Sequence, residues 1–116
     1  MKIGEVCLLT NDVPRLATFY KQLLGVDNDS QDETHQFILS EETALTFYHD
    51  GTEKNNRNQN ICLAFTVDDV EKEYEKVLAL GAEIIDPPAR RPWGAVNMSF
   101  YDPDYNMIYF RSFPQE

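Results

Sequence analysis

No stretch of the 116 residues approaches the roughly 18 consecutive apolar residues that a membrane helix needs, which excludes a spanning helix of that kind. The N-terminus carries neither a basic region nor an apolar core of the signal-peptide type, so a cytoplasmic protein is expected, with no membrane partner. Basic residues are scarce: ten Lys and Arg face twenty Asp and Glu, for a net charge of -10, with -5 from residues 1–60 and -5 from residues 61–116. A polyanion would meet repulsion rather than a basic stripe, so nucleic acid is not expected as a partner. The acidity either keeps the chain soluble or favours cationic ligands. Cysteine is nearly absent. Cys7 and Cys62 are too few for a secreted disulfide framework, and both are expected as buried thiols on strands. The length supports one domain over residues 1–116 with a modest core, and not two independent ones.

What the chain does have is an internal repeat. Leu8-Leu9-Thr10-Asn11-Asp12-Val13 leads into a helical pattern with Phe19, Tyr20, Leu23 and Leu24 and closes at Gly25. Phe65-Thr66-Val67-Asp68-Asp69-Val70 leads into Tyr74, Val77, Leu78 and Leu80 and closes at Gly81. Asp12 and Asp69 stand 57 residues apart, so the chain reads as two tandem modules, about 1–56 and 57–116. Each module has a sheet face that must be covered, and pairing the two is expected to enclose a cleft.

Periodicity supplies the elements. Residues 3–10 alternate, with Ile3, Glu5, Cys7 and Leu9 on one side, which predicts a strand. Asp12 is placed to cap a helix with Pro14 in its first turn, an apolar stripe of Val13, Leu16, Phe19, Tyr20, Leu23 and Leu24, and a left-handed turn at Gly25. Thr34 to Leu39 and Thr43 to His49 predict a hairpin across Ser40-Glu41-Glu42, followed by a polar tract from Asp50 to Asn60. Ile61 to Val67 predicts a strand, and Asp68 or Asp69 caps the second helix, with Glu71 available to complete a capping box with Asp68. Glu83 to Asp86 predicts a short strand, Pro87 to Gly94 a loop, and Ala95 to Phe100 and Met107 to Ser112 the last two strands. Each module is expected as strand, helix, three strands.

The repeat, the phrase Phe65-Thr66-Val67-Asp68-Asp69-Val70, the Gly81-Ala82-Glu83 after the second helix, the loop ending Pro92-Trp93-Gly94 and the closing Asp102-Pro103-Asp104-Tyr105-Asn106 together resemble the vicinal oxygen chelate superfamily. That superfamily includes glyoxalase I, bleomycin resistance proteins, extradiol dioxygenases and fosfomycin resistance enzymes. The resemblance spans nearly the whole chain. It implies an α+β fold in which two tandem βαβββ modules form a half-closed, cup-shaped mixed sheet, assembled as a homodimer. It leaves the activity open, because one scaffold hosts many chemistries.

The resemblance also implies where a metal would sit. Family members place a ligand seven residues before the capping aspartate of each module, which here means Glu5 before Asp12 and Cys62 before Asp69. A further ligand comes near the end of the last strand, here Tyr109, matched in the first module by Thr46 or, with a shift of register, Tyr48. None of these is His. Metal-assisted chemistry needs about three protein ligands with open positions left for substrate, and only Glu5 is an ordinary ligand for a hard divalent ion. His35 and His49 read as strand-end or surface residues. No metal and no cofactor is therefore expected. Tyr105 stands where the family usually has Gly, which puts a side chain at a tight turn and leaves its geometry open.

Strand alternation gives the remaining positions of the presumed cup: Cys7 and Leu9 with Glu5, Ala64 and Thr66 with Cys62, Met107 and Arg111 with Tyr109, and Tyr48 with Thr46. Such a lining suits a compact, partly apolar molecule, oriented by Glu5, Tyr48, Tyr109 and Arg111. Trp93 either folds over the mouth or plugs an interface. Glu5 either pairs with Arg111 across neighbouring strands or, unpaired among aromatics, acts as a general base. Two function classes follow. One is a metal-free protein that sequesters a small organic ligand, an antibiotic or a metabolite. The other is a lyase, isomerase or dioxygenase using an atypical metal site or Glu5 as base.

Overall fold

The structure is a computed structural model, and it describes residues 1–40, 43–55 and 60–114. Glu41 and Glu42 of the predicted hairpin turn and residues 56–59 of the predicted polar tract lie outside the described residues. The chain divides into two compact units, Met1–Asn56 and Arg57–Glu116.

In the first unit, β1 (Glu5–Leu9) leads into α1 (Val13–Leu24), then β2 (His35–Ser40) and β3 (Thr43–Tyr48). The strand order is β1-β3-β2, with β1 parallel and β2 antiparallel to β3. Local chemistry sets the helix limits. Asp12 accepts a hydrogen bond from the Arg15 amide at 3.1 Å, its own amide donates to Thr10 Oγ1 at 3.1 Å, and Pro14 fills the first turn. Gly25 ends the helix at φ 66, a left-handed conformation that a side chain disfavours. One face of α1 buries Val13, Leu16, Ala17, Phe19, Tyr20 and Leu23 against Ile38, Leu45 and Phe47 of the sheet. Tyr20 stacks on Phe47 with ring centroids 5.2 Å apart.

The second unit runs β4 (Cys62–Thr66), α2 (Val70–Ala79), β5 (Ile84–Arg90), β6 (Val96–Tyr101) and β7 (Met107–Ser112). Its order is β4-β7-β6-β5, with β4 parallel to β7 and the other pairs antiparallel. Of the two candidate caps it is Asp69 that caps α2, accepting from the Lys72 amide at 3.3 Å. Val70 and Val77 are buried on the same side of the sheet as Met98, Phe100, Ile108 and Phe110. Both units are therefore α+β, with two open mixed sheets of three and four strands.

Three local features depart from expectation. Among its described residues the first unit has two strands after its helix, not three. Between Val26 and Thr34 side chains take over the backbone donors: Asn28 accepts from the Ser30 amide, and Asp32 accepts from the amides of Thr34 and His35 at 2.7 and 2.9 Å. Such local bonds compete with a strand ladder. The second feature is β5, which continues through Pro87 and Pro88 to Arg90 instead of ending at Asp86. It is one of the two outer strands of its sheet, with register shifts between Ile84 and Asp86 and between Asp86 and Ala89, so residues without an N–H are tolerated there. The third is that Cys7 and Cys62 are on strands but exposed as free thiols, because each lies on the sheet face turned away from its unit's helix.

Candidate functional site

Each sheet has one face packed under its own helix and one turned away. In the first unit, alternation puts Ile38, Leu45 and Phe47 under α1 and turns Glu5, Cys7, Leu9, Thr46, Tyr48, His35 and Phe37 the other way. Parallel pairing sets Cys7 opposite Thr46 and Leu9 opposite Tyr48, while the antiparallel pairing sets Phe37 opposite Thr46 and His35 opposite Tyr48. Thr46 is 2% exposed, and its hydroxyl donates to Glu5 Oε2 at 2.8 Å. Of the two candidates for that position, Thr46 and not Tyr48 is the partner of Glu5.

Beside this pair lies an aromatic cluster that sequence reasoning missed. The His35 ring is 5.9 Å from Tyr48 and 6.1 Å from Phe37, and all three side chains are exposed. The available signal was the hairpin itself. Once Tyr48 is assigned to a face, the antiparallel pairing carries His35 and Phe37 onto it. His49, by contrast, leaves the strand and accepts the Gly51 amide at its Nδ1 over 2.9 Å. The Cys7 thiol is held above its ordinary range, first by desolvation and then by the negative charge of Glu5.

In the second unit the face turned away from α2 carries Cys62, Ala64 and Thr66 on β4, Met107, Tyr109 and Arg111 on β7, and Asn97, Ser99 and Tyr101 on β6. Cys62 pairs with Met107, Ala64 with Tyr109 and Thr66 with Arg111, so Cys62 and Tyr109 are diagonal neighbours. Arg111 Nε donates to Thr66 Oγ1 at 3.0 Å, and its guanidinium lies 5.2 Å from the centre of the Phe113 ring. Glu5 belongs to the three-stranded sheet and Arg111 to the four-stranded one, and each is bonded to a threonine of its own sheet. Trp93 sits in the β5–β6 turn, closed by bonds from Arg91 N to Ala95 O and from Gly94 N to Arg91 O, and is 69% exposed.

The turn before β7 is built around Asp102, 3% exposed. Its Oδ1 accepts the amides of Asp104 and Asn106 at 2.8 and 2.9 Å, and its Oδ2 accepts Asn106 Nδ2 at 2.7 Å. Tyr105 is held at φ 65, a left-handed conformation in a residue with a side chain, and its ring meets Tyr101 edge-on at 5.6 Å. An open cleft of about 320 Å³ at the C-terminal end of α1, lined by Lys21, Gly25 and Asp27 among others, includes none of the candidate site residues.

The architecture of the second unit, a strand, a helix and an antiparallel run returning parallel to the first strand, is repeated in shorter form in the first. Residues 2–110 match the family model described as Glyoxalase/Bleomycin resistance protein/Dioxygenase superfamily. The chain belongs to this superfamily. It is 32% identical to uncharacterized protein YraH of Bacillus subtilis (strain 168), over 93% of this chain and 95% of that protein. Among solved structures it resembles a glyoxalase-related enzyme from Fulvimarina pelagi, with a TM-score of 0.82 and 19% identity over 97% of this chain and 88% of that one. It also resembles a lactoylglutathione lyase from Agrobacterium tumefaciens, with a TM-score of 0.73 and 18% identity over 96% of this chain and 92% of that one. At such identities the structural likeness speaks for the glyoxalase-like fold alone.

For a glyoxalase-superfamily member the donor set is poor. Glu5 and Thr46 stand on one sheet, Cys62 and Tyr109 on the other. Among the described residues there is no group of three or more His, Cys, Asp or Glu that could hold a metal ion. None of the four is His, and Glu5 alone is an ordinary ligand for a hard divalent ion. Among the described residues there is also no helix long and apolar enough to cross a membrane.

Proposed function

We propose that this superfamily member is a metal-free binding protein for a small organic molecule, which it sequesters on the sheet faces turned away from the helices. The observation that carries the reading is the engagement of Glu5, the one ordinary hard-metal ligand at the family positions, by the Thr46 hydroxyl at 2.8 Å. The exposed rings of Phe37, Tyr48 and His35 beside it offer stacking area, and Tyr109, Cys62, Arg111 and Trp93 are the corresponding contacts on the second unit. The protein acts as a homodimer, supported by outer strands and by exposed Ile3, Leu9 and Phe113, apolar area that a second copy can cover.

The test is elemental analysis after incubation with zinc, nickel, cobalt, manganese and iron(II) and removal of the excess, with light scattering on the same samples. Metal well below one equivalent per chain, in a dimer, is the expected result. Near-stoichiometric metal that is lost in Glu5→Gln would replace this reading with that of a lyase, isomerase or dioxygenase, and a monomeric mass at micromolar concentration would remove the dimer. Trp93→Ala and Tyr109→Ala should weaken retention of an organic molecule extracted with the protein, with little change in fold; retention unchanged in both would move the site elsewhere.

A further inference from the structure

The three arginines of residues 61–116 are Arg90, Arg91 and Arg111, and all belong to one end of the four-stranded sheet. Arg90 pairs with Val96, and Asn97, the next residue, pairs directly with Arg111. Arg91 reaches the same residue from the turn, its Nε donating to Asn97 Oδ1 at 2.7 Å. Two guanidiniums therefore flank one asparagine on the face turned away from α2. Both are anchored through Nε, Arg91 on Asn97 and Arg111 on Thr66, and among the described residues no Nη atom of either is hydrogen-bonded or ion-paired. Asn97, having accepted at Oδ1, keeps its Nδ2–H₂ as a further donor. One step along β6 on the same face, Ser99 has a buried hydroxyl that is without a hydrogen-bond partner among the described residues. In a chain carrying twice as many acidic as basic residues, two adjacent arginines without a carboxylate partner are out of keeping with a simple surface ion-pair arrangement.

We propose that Arg91 and Arg111, with Asn97 between them, form an oxyanion-binding fork, and that the molecule bound on this face carries a carboxylate or a phosphate group. Guanidinium groups whose Nε is already fixed present their Nη donors with little rotamer freedom left to lose, which suits bidentate recognition of a planar or tetrahedral oxyanion. The inference rests on the binding reading only in its use of the same sheet face. It makes the ligand anionic where the chain's net charge alone would favour a cation.

The experiment follows the Arg91 and Arg111 Nε–H signals and the Asn97 amide in ¹⁵N-labelled protein while sodium phosphate, or in a second arm sodium benzoate, replaces sodium chloride at constant ionic strength. The expected result is saturating shifts of all three in at least one arm, with half-saturation at about 1–10 mM and a loss of at least about tenfold in affinity in Arg91→Gln or Arg111→Gln. Saturation by phosphate alone assigns a phosphate-bearing ligand, and by benzoate alone an aromatic carboxylate. Arg111→Lys, which keeps the charge and loses the fork, should bind more weakly than the native chain. Shifts that stay linear in both arms overturn the proposal, as does affinity unchanged in both glutamine variants. The native titration decides by itself should a variant not fold. Because the probes are simple anions, failure here leaves the metal and retention tests untouched, and their failure leaves this one standing.

Discussion

The Thr46 hydroxyl and Glu5 Oε2 are joined across 2.8 Å, tying the central strand of the first sheet to β1 through a nearly fully buried donor and an exposed carboxylate. Thr46→Val preserves the shape and removes the donor, so it should lower stability by about 1 kcal/mol, with the carboxylate rehydrated at the exposed end. Chemical denaturation of Thr46→Val, Glu5→Gln and the double variant measures the coupling. Strict additivity of the two single changes would mean the bond contributes nothing.

Cys7 should be a sluggish nucleophile despite its exposure. Desolvation and the adjacent Glu5 charge both keep its thiol protonated, which lowers the thiolate fraction at neutral pH. In a Cys62→Ala background, the rate of reaction with a disulfide reagent at pH 7.5 should fall below that of a free cysteine peptide, and Glu5→Gln should restore it in part. A rate at or above the peptide's would contradict the arrangement.

Acid should release one local structure in the first unit. Asp50 is held well below the ordinary carboxylate range by side-chain bonds from Thr52 and Lys54 and by the Thr52 amide. A carboxyl depressed in the folded state stabilises above its unfolded value, about 3.9, and that stabilisation is lost as pH falls through the folded value. The Tm difference between the native chain and Asp50→Asn should therefore be present at pH 6 and shrink toward zero as pH is lowered below 3. The site is exposed, so the difference should also be small and reduced by salt.

Much of this arrangement could be read from residue order. Asp12, Pro14 and Gly25 declare the limits of α1 by chemistry that acts within a few residues, and β7 falls at Met107–Ser112 as its alternation predicts. Failures arose where tertiary position decides. Pro87 and Pro88 argue against a strand until the strand is known to be an outer one, and no local pattern states that. Cys7 and Cys62 alternate as expected, yet alternation names two faces without saying which one is covered, and both thiols are exposed where their residue type suggests burial. His35 does begin a strand at the surface, as its place in the sequence suggests, but its clustering with Phe37 and Tyr48 exists only through pairing of distant residues.

The interior of the first unit depends on one aromatic stack. Phe47 is fully buried and lies 5.2 Å from Tyr20 in a stacked pair. Phe47→Ala should cost about 3–5 kcal/mol and Phe47→Leu markedly less, read from denaturant midpoints at unchanged slope. Equal effects of the two would show that the ring contact is not what packs α1 onto the sheet.

The two consecutive prolines on β5 have a bearing on how these molecules meet one another. An outer strand that cannot offer backbone donors at Pro87 and Pro88, and whose ladder is already broken by two register shifts, is a poor template for another strand to add to. Fibrous growth from that side of the four-stranded sheet is thereby discouraged, and a second copy has to approach by another edge or by a face.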